Sequence, residues 1–393
     1  VSRCSKCQFK TKTNDSEKGL KSGFNECWLE DKGFLSEKLN EPNIFDIWNS
    51  RKKQTFLDQG KFLLTDISHE DIGVFEDADY NTDKSTIVRQ WLQIDKRNKN
   101  DPKPYIDKVG MKEEMKKWVF PLHFIDFETS MVAIPFNKGR RPYEQIAFQY
   151  SHHIAYEDGR TEHKGEYINK EQGVFPNFDF VRNLKEELEN DNGTIFRYAT
   201  HENTVLNDII EQLENAEDEI PDKNELTTWI ESITNKSHNG KPIREGVRCM
   251  VDMYVLVKNY YYHICMGGSN SIKQVLPAIL NSSTYLQNKY SKPIYGAKDG
   301  IPSLNFKNWT WIKHDEEGKT IDPYKQLSTA LESSKYDCIS DGGAAMNAYA
   351  KIQFCDIPND EKDFICQSLL NYCELDTLAM TMIWEEWREL VSD

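Results

Sequence analysis

The chain has 393 residues, of which 38% are hydrophobic and 12% aromatic, and its formal net charge is −15. This length is sufficient for two domains with separate cores, and the apolar content excludes a disordered protein. No run of eighteen apolar residues occurs, which excludes a membrane-spanning helix, and the acidic balance argues against a surface broadly coated with basic charge for nucleic acid.

The chain is divided by composition into three predicted parts. Residues 1–30 form a cysteine-bearing segment, residues 31–118 a mostly helical connector, and residues 119–393 a larger domain that mixes strands and helices. The nine cysteines are irregularly spaced and no secretion signal is recognisable, so we expect reduced thiols in a cytoplasmic protein.

Three cysteines lie near the beginning of the chain. Cys4 and Cys7 form a C-x-x-C pair, and nineteen residues separate Cys7 from Cys27. Soft ligands grouped in this way suggest a metal or cluster site. Three alternatives stay open at this point: an iron–sulfur cluster, a zinc site completed by a histidine, or free thiols.

The larger domain begins with apolar runs typical of strands and continues with helical spacing. We predict strands at 120–127, 146–154, 161–168 and 194–199, and helices at 178–188, 202–213, 251–262, 271–280, 343–354 and 361–390. Three strands, a helix, a further strand and then helices is an α/β order, which predicts a mixed sheet flanked by helices.

The first strand carries the most informative residues of the chain. Asp126 and Glu128 stand two residues apart at the end of an apolar run, so their carboxylates project from the same side of the strand. Like charges this close repel each other unless a cation lies between them. The pair therefore suggests a divalent metal site, and the alternative is an ordinary strand end with two solvated acids.

Two further segments offer groups that complete such a site. Tyr372 and Asp376 are four residues apart on the last helix and share one of its faces. Glu202 falls in the first turn of the helix after the fourth strand. Asp208 is its competitor, but it lies about 240° further round that helix, so both cannot face one site. We favour Glu202, whose alternative role is that of an acid stabilised by the helix dipole.

These acids follow the order found in the DEDD superfamily of 3′–5′ exonucleases, which have a ribonuclease H-like fold. Y-x-x-x-D at Tyr372 and Asp376 resembles the tyrosine subtype of that superfamily. One departure is Glu202, because the second motif of the superfamily usually carries aspartate. More narrowly, residues 119–390 resemble the DUF2779 group of bacterial proteins. The segments that carry this narrower resemblance are Gly268–Ala278, Asp341–Ala345 and Tyr372–Met380.

The resemblance implies a two-metal phosphodiester hydrolase acting on single-stranded DNA or RNA. Two Mg²⁺ or Mn²⁺ ions, roughly 3.5–4 Å apart, would be held by Asp126, Glu128, Glu202 and Asp376. Tyr372 would orient the attacking water, since a tyrosine with a pKa near 10 is a poor base at neutral pH. The alternatives are a non-catalytic nucleic-acid-binding module that keeps the fold, and a hydrolase of smaller phosphoesters.

Other segments are candidates for contact with phosphate. Ser269, Ser271 and Lys273 follow a glycine turn at the predicted start of a helix, and helix N-termini bind phosphates. The alternative is a capped helix with its lysine in solvent. Arg140 and Arg141, beyond the first strand, are weaker candidates for the same role.

The cysteine segment resembles the C-terminal cysteines of RecB-type iron–sulfur nucleases. DUF2779 domains are often joined to such nucleases, so the chain looks like the C-terminal part of a fusion whose upstream RecB-like domain would be a partner. The fourth cysteine ligand and the RecB-type catalytic residues are not found in this sequence.

Overall fold

The structure is a computed structural model that describes residues 4, 7–11, 19–34, 36–39, 41–216, 220–316, 318–330, 339 and 341–392. Parts of the cysteine-bearing segment therefore lie outside the described residues. The chain divides into two compact units. The first comprises Val1–Gly110 and Val257–Ala278, and the second comprises Met111–Leu256 and Ile279–Asp393.

The elements are numbered in chain order. The helices are α1 (Gly23–Lys32), α2 (Ser36–Leu39), α3 (Lys53–Asp58), α4 (His69–Ile72), α5 (Thr86–Asn98), α6 (Lys108–Met115), α7 (Asn177–Leu188), α8 (His201–Glu214), α9 (Lys223–Ile233), α10 (Met253–Tyr260), α11 (Ile272–Ser282), α12 (Thr284–Tyr290), α13 (Pro323–Ala330), α14 (Gly342–Phe354) and α15 (Asn359–Ser392). The strands are β1 (Tyr105–Ile106), β2 (Leu122–Ser130), β3 (Ile146–Ala155), β4 (Thr161–Ile168), β5 (Ile195–Arg197), β6 (Asn235–His238), β7 (Lys241–Glu245), β8 (Val251–Asp252) and β9 (Tyr261–Tyr262).

The first unit gathers short helices around aromatic and aliphatic cores. Its second chain segment is fastened by a buried arginine of α5. Arg89 donates from Nη1 to the backbone oxygen of Tyr261 (2.7 Å) and from Nη2 to Oδ1 of Asn270 (2.8 Å). Strand β1 also pairs antiparallel with β9. These hydrogen bonds explain why residues 257–278 belong to the first unit, although they follow much of the second in the sequence.

The second unit is built on a five-stranded sheet with the order β4-β3-β2-β5-β8. Strand β3 is antiparallel to β2 and β4, whereas β2, β5 and β8 run parallel. The predicted mixed α/β sheet flanked by helices is therefore confirmed. The predicted strands and most of the predicted helices of this unit are also present, with boundaries that differ by a few residues.

Strand β2 lies at the centre of this sheet and is covered on both faces, which explains its continuous apolar run. On one face, Ile125 and Phe127 enter a core formed with α7, α8 and α9. The ring of Phe127 meets that of Phe180 edge-on at 4.8 Å. On the other face, Phe124 lies 6.2 Å from the ring of Trp384 on α15. Because side chains alternate along a strand, Asp126 shares the face that α15 covers.

Helix α15 spans 34 residues without an internal glycine or proline, as the sequence predicts, and is about 50 Å long. Most of its side chains between Ile365 and Trp387 are buried, on every side of the helix. A helix that is buried on all sides can present polar side chains to more than one site in the interior.

The predicted helix at 251–262 was wrong at both ends. Its first residues form β8, where the carboxylate of Asp252 accepts hydrogen bonds from Arg197 and from the backbone nitrogen of Ala199. Its last two residues form β9 and pair with β1. Tertiary pairing overrides helical spacing at these positions.

None of the described helices combines the length and apolarity needed to cross a lipid bilayer.

The fully buried Asn177, at the start of α7, connects a strand to two helices. Its Oδ1 accepts from the backbone nitrogen of Ala147 (2.8 Å), and its Nδ2 donates to the backbone oxygen of Gln145 (2.9 Å) and to Oε1 of Gln212 (2.6 Å). Asn177→Ala should lower the free energy of unfolding by about 1–3 kcal/mol, because it leaves buried polar groups without partners. Urea unfolding measures this loss. The exposed Asn183→Ala on the same helix is the control and should change it by less than about 0.5 kcal/mol; equal losses would contradict the assignment.

A candidate metal centre

Strand β2 brings two acids to the face that α15 covers. Asp126 is half-buried and Glu128 is buried. Their carboxylates form a group with the thiol of Cys373, with one ligand atom from each lying within 4.8 Å of the others. The Cys373 Sγ lies 3.6 Å from Oδ2 of Asp126, to which it donates. The expectation that both acids point to the same side of the strand is met, and Cys373 is a neighbour that spacing alone did not indicate.

Helix α15 adds a phenol and a third carboxylate. Tyr372 and Asp376 are buried one turn apart, and their side chains are hydrogen-bonded to each other. The negative charge of Asp376 is the strongest of the neighbouring charges acting on Asp126. The strand and the last helix, about 250 positions apart in the sequence, therefore place their acids side by side.

Glu202 reaches the same group from the first turn of α8. The preceding turn contains Ala199, whose φ of 69° is unusual for a residue with a side chain and is held by the hydrogen bond to Asp252. Glu202 is buried, and among the described residues its Oε2 has no hydrogen-bond partner. The neighbouring charges that act on Asp208 are those of Glu211 and Lys236. The structure thus turns Glu202, and not Asp208, toward Asp126 and Asp376.

Burial and neighbouring carboxylates raise the pKa values of two of the acids, Asp126 and Glu202. Burial, together with the charges of Asp376, Glu202 and Glu128, raises the pKa of Asp126 well above its ordinary value. Burial raises the pKa of Glu202 to about 8, although Arg197 nearby partly offsets this effect. Burial and the charges of Asp376, Glu128 and Asp126 raise the pKa of Tyr372, which keeps its hydroxyl protonated. Without a cation, this site favours bound protons.

Tyr324 is a neighbour of the site that sequence reasoning missed. Its hydroxyl donates a hydrogen bond to Oδ1 of Asp376, and its ring centroid lies 6.2 Å from that of Tyr372. Tyr324 is on α13, and no spacing relates it to the acids. Only the packing of α13 on α15 reveals it.

The donor set fits hard divalent cations. Carboxylate oxygens are the preferred ligands of Mg²⁺ and Mn²⁺, and four of these groups approach one another here. The Oε2 of Glu202 is an orphaned buried acceptor that a cation would satisfy. The residues that would hold the ions are Asp126, Glu128, Glu202 and Asp376.

A second group of potential ligands contains His163 and Glu166 of β4 and Glu374 of α15. Here the acids already have partners. Glu374 accepts hydrogen bonds from Tyr295, Ser303 and Asn305, and lies 3.1 Å from Nδ1 of His163. Since these donors satisfy the carboxylate, the group is a buried network that fixes α15 to β4 and to residues 295–305.

The remaining predicted ligands lie in the first unit. Cys4 and Cys7 are half-buried against an aromatic cluster, and Cys27 is exposed. Within the described part of the chain, the three thiols do not form one of the grouped potential metal sites, so the iron–sulfur or zinc site stays a prediction. Ser269, Ser271 and Lys273 flank the start of α11, where Ser269 Oγ accepts from the nitrogen of Ser271. Their contact with phosphate also stays a prediction.

Residues 123–271 match the model of a family described as a domain of unknown function (DUF2779), so the predicted resemblance is confirmed over that segment. The match includes the acids of β2 and α8 and ends before α15. No curated protein and no solved structure matches the chain.

The raised pKa of Glu202 gives a test of the crowded carboxylates. Between about pH 4.5 and 8 the folded, metal-free protein retains a proton that the unfolded chain releases, so its free energy of unfolding falls as the pH rises. Glu202→Gln should remove this contribution. Its stability relative to the parent should therefore rise from pH 5 to pH 8, by at most about 1.4 kcal/mol per pH unit.

Urea unfolding in chelator at both pH values measures this difference. Glu214→Gln, at an exposed position near the end of the same helix, serves as the control and should show little of the effect. A relative stability of Glu202→Gln that does not change with pH would refute the assigned environment of Glu202.

Proposed function

We propose that the chain is a metal-dependent 3′–5′ exonuclease of the DEDD superfamily, tyrosine subtype, acting on single-stranded DNA or RNA. The observation that carries the proposal is the convergence of Asp126, Glu202 and Asp376, with Glu128 and Tyr372 beside them. The proposed direction and substrate rest on the resemblance of these motifs to the superfamily.

The architecture supports a ribonuclease H-like fold. A three-stranded antiparallel meander continues into two further strands parallel to the first, and helices cover both faces. The acids lie on the central strand, at the start of the helix after β5, and on a helix that crosses the sheet. This is the order in which the superfamily carries its motifs.

In the proposed reaction Asp126, Glu128, Glu202 and Asp376 would hold two divalent cations. When bound, such ions make a nucleophile of water and stabilise the leaving oxygen. Tyr372 keeps its proton, since burial and neighbouring acids raise its pKa, so its hydroxyl serves to orient and not to accept a proton. Burial of the site by α15 limits the competing access of bulk water.

Tyr324 is proposed as a positioning residue. By donating to Oδ1 of Asp376 it would fix the orientation of this carboxylate. Hydrogen bonds that orient ligands in this way strengthen metal binding.

Removing either of two carboxylates should abolish hydrolysis. Asp126→Asn and Asp376→Asn keep the side-chain shape but lose the charge that holds a cation, so Mn²⁺-dependent shortening of 5′-labelled single strands should fall by at least about a hundredfold. Gel analysis of DNA and RNA oligomers, with and without chelator, provides the measurement. Asp208→Asn should retain parental activity.

Several outcomes would contradict the proposal. Full activity in either site variant removes the residue from the mechanism. Strand binding without hydrolysis by the parent favours a non-catalytic nucleic-acid-binding module. Hydrolysis of small phosphoesters, with oligomers left intact, favours the third class of function.

The two tyrosines should have separable effects. Tyr372→Phe should slow turnover while Mn²⁺ affinity, measured by calorimetry, stays nearly unchanged. Tyr324→Phe should weaken Mn²⁺ binding by about tenfold, because Asp376 loses the group that orients it. A Tyr324→Phe variant with parental Mn²⁺ affinity would show that this tyrosine has only a packing role.

A further inference from the structure

The second unit contains an open cleft of about 410 Å³ away from the acids described above. One wall is the loop that joins β2 to β3, with Lys138, Arg140 and Arg141. The other is formed by Phe178 of α7 and by the end of α8, with Gln212 and Asn215. All of these residues belong to one compact unit.

The described lining of the cleft is basic, although the chain is acidic overall. The described lining residues include three cations and one carboxylate, Glu144. Lys138 and Arg141 are exposed, and in the described part of the chain neither side chain forms an ion pair. Glu144 lies 3.4 Å from Nη1 of Arg140 and accepts a hydrogen bond from the backbone nitrogen of Arg141. Two cations are therefore available to an anion from solvent.

Arg140 is held in place by aromatic contacts. Its guanidinium carbon lies 3.4 Å from the ring centroid of Phe175 and 5.7 Å from that of Phe178. Stacking of this kind orients the planar guanidinium and leaves its edge free to donate. Gly139, with a φ of 81°, supplies the turn that separates Lys138 from Arg140. A guanidinium held in place between two exposed cations is suited to phosphate oxygens.

The opposite wall is rigid. Gln212 donates to the backbone oxygen of Gln145 (2.9 Å) and accepts from the buried Asn177. The end of α8 is thereby fastened to the start of β3. One wall of the cleft is thus held by the hydrogen bonds of Gln212, and the other by the stacking of Arg140.

Two elements run from the acids of the candidate metal centre to the cleft. Strand β2 carries Asp126 and Glu128 and continues into the cationic loop. Helix α8 carries Glu202 in its first turn and ends beside the cleft at Asn215, about 20 Å further along the helix axis. Stacked nucleotides are spaced about 3.4 Å apart, so about six of them would cover this distance.

We infer that this cleft binds backbone phosphates of a single nucleic-acid strand whose end lies at Asp126. The inference rests on the proposed function for the identity of the strand, and it adds a second contact that holds the strand about six nucleotides from the acids. Recognition of phosphates carries no base preference, which suits an enzyme that moves along a strand.

The test is strand binding without hydrolysis. Fluorescence anisotropy in chelator measures the affinity for 5′-labelled strands of 4, 12 and 20 nucleotides. Three proteins are compared: the parent, a cleft variant that combines Lys138→Gln with Arg141→Gln, and a matched control. The control is Lys298→Gln with Lys307→Gln, which removes two exposed charges of the same unit that do not line the cleft. Shortening of a 4-nucleotide strand with Mn²⁺ is measured in parallel.

We expect the cleft variant to bind 12- and 20-nucleotide strands about tenfold more weakly, with a salt dependence lower by about 1.4 in slope, as for two lost phosphate contacts. Binding and shortening of the 4-nucleotide strand should be unchanged, and the control should match the parent.

A further variant removes the three acids that lie in the sequence between the lining residues Ala216 and Ile220. This triple variant, Glu217→Gln, Asp218→Asn and Glu219→Gln, should bind the 12- and 20-nucleotide strands at least as tightly as the parent does.

Equal binding by the cleft variant and the parent would overturn the inference. An equal loss of affinity in the control, or an equal loss at all three strand lengths, would also overturn it. So would inorganic phosphate at millimolar concentration that displaces strands of all three lengths equally well. Weaker binding after removal of the three acids would contradict an anionic ligand. These outcomes are independent of the proposed reaction. If no strand is shortened but the length-dependent loss is seen, the proposed function fails and the cleft stands.

Discussion

The repulsion among buried carboxylates is the constraint on which the rest of the second unit depends. Asp126 of β2, Glu202 of α8 and Asp376 of α15 lie near one another, and their partial or full burial limits the screening of their charges by water. Such a group is stable only if it retains protons or binds cations. At neutral pH a pair of divalent ions would relieve the repulsion without protonating the acids, whereas in the metal-free protein Glu202, with a pKa of about 8, would retain its proton.

The fold keeps the acids in place against this repulsion. Strand β2 is fixed by hydrogen bonds to β3 and β5 on its two sides. Helix α15 is fixed at Glu374, whose carboxylate receives donors from β4 and from residues 295–305. Glu374 lies two positions from both Tyr372 and Asp376. The hydrogen-bond network around Glu374 therefore helps to determine how the helix presents Tyr372 and Asp376 on another of its faces.

Much of this arrangement follows from local sequence patterns. Two acids two positions apart on an apolar strand must share a face, and Tyr372 and Asp376 four positions apart must share a helix face. The helical angle between Glu202 and Asp208 correctly indicated that only one of them turns toward the other acids. These inferences needed nothing beyond the geometry of one element.

What the sequence could not supply depends on how separate elements pack. Tyr324 reaches Asp376 only because α13 lies against α15, and Asp252 shapes the turn before Glu202 only because β8 pairs with β5. Both contacts join residues about fifty positions apart, at distances that no periodicity encodes. The basic cleft is a similar case. The sequence indicates Arg140 and Arg141 as weak candidates for phosphate contact. The stacking of Arg140 on Phe175 and the wall formed by α8 depend on the packing of separate elements.

The central claim is that these carboxylates bind two cations together. Anomalous diffraction from crystals soaked in Mn²⁺ tests it most directly, because the ions are located without reference to activity. Two peaks roughly 3.5–4 Å apart, bounded by the carboxylates of Asp126, Glu202 and Asp376, are predicted. A soaked crystal with no peak among these carboxylates, or with a lysine or arginine side chain in their midst, would contradict the account.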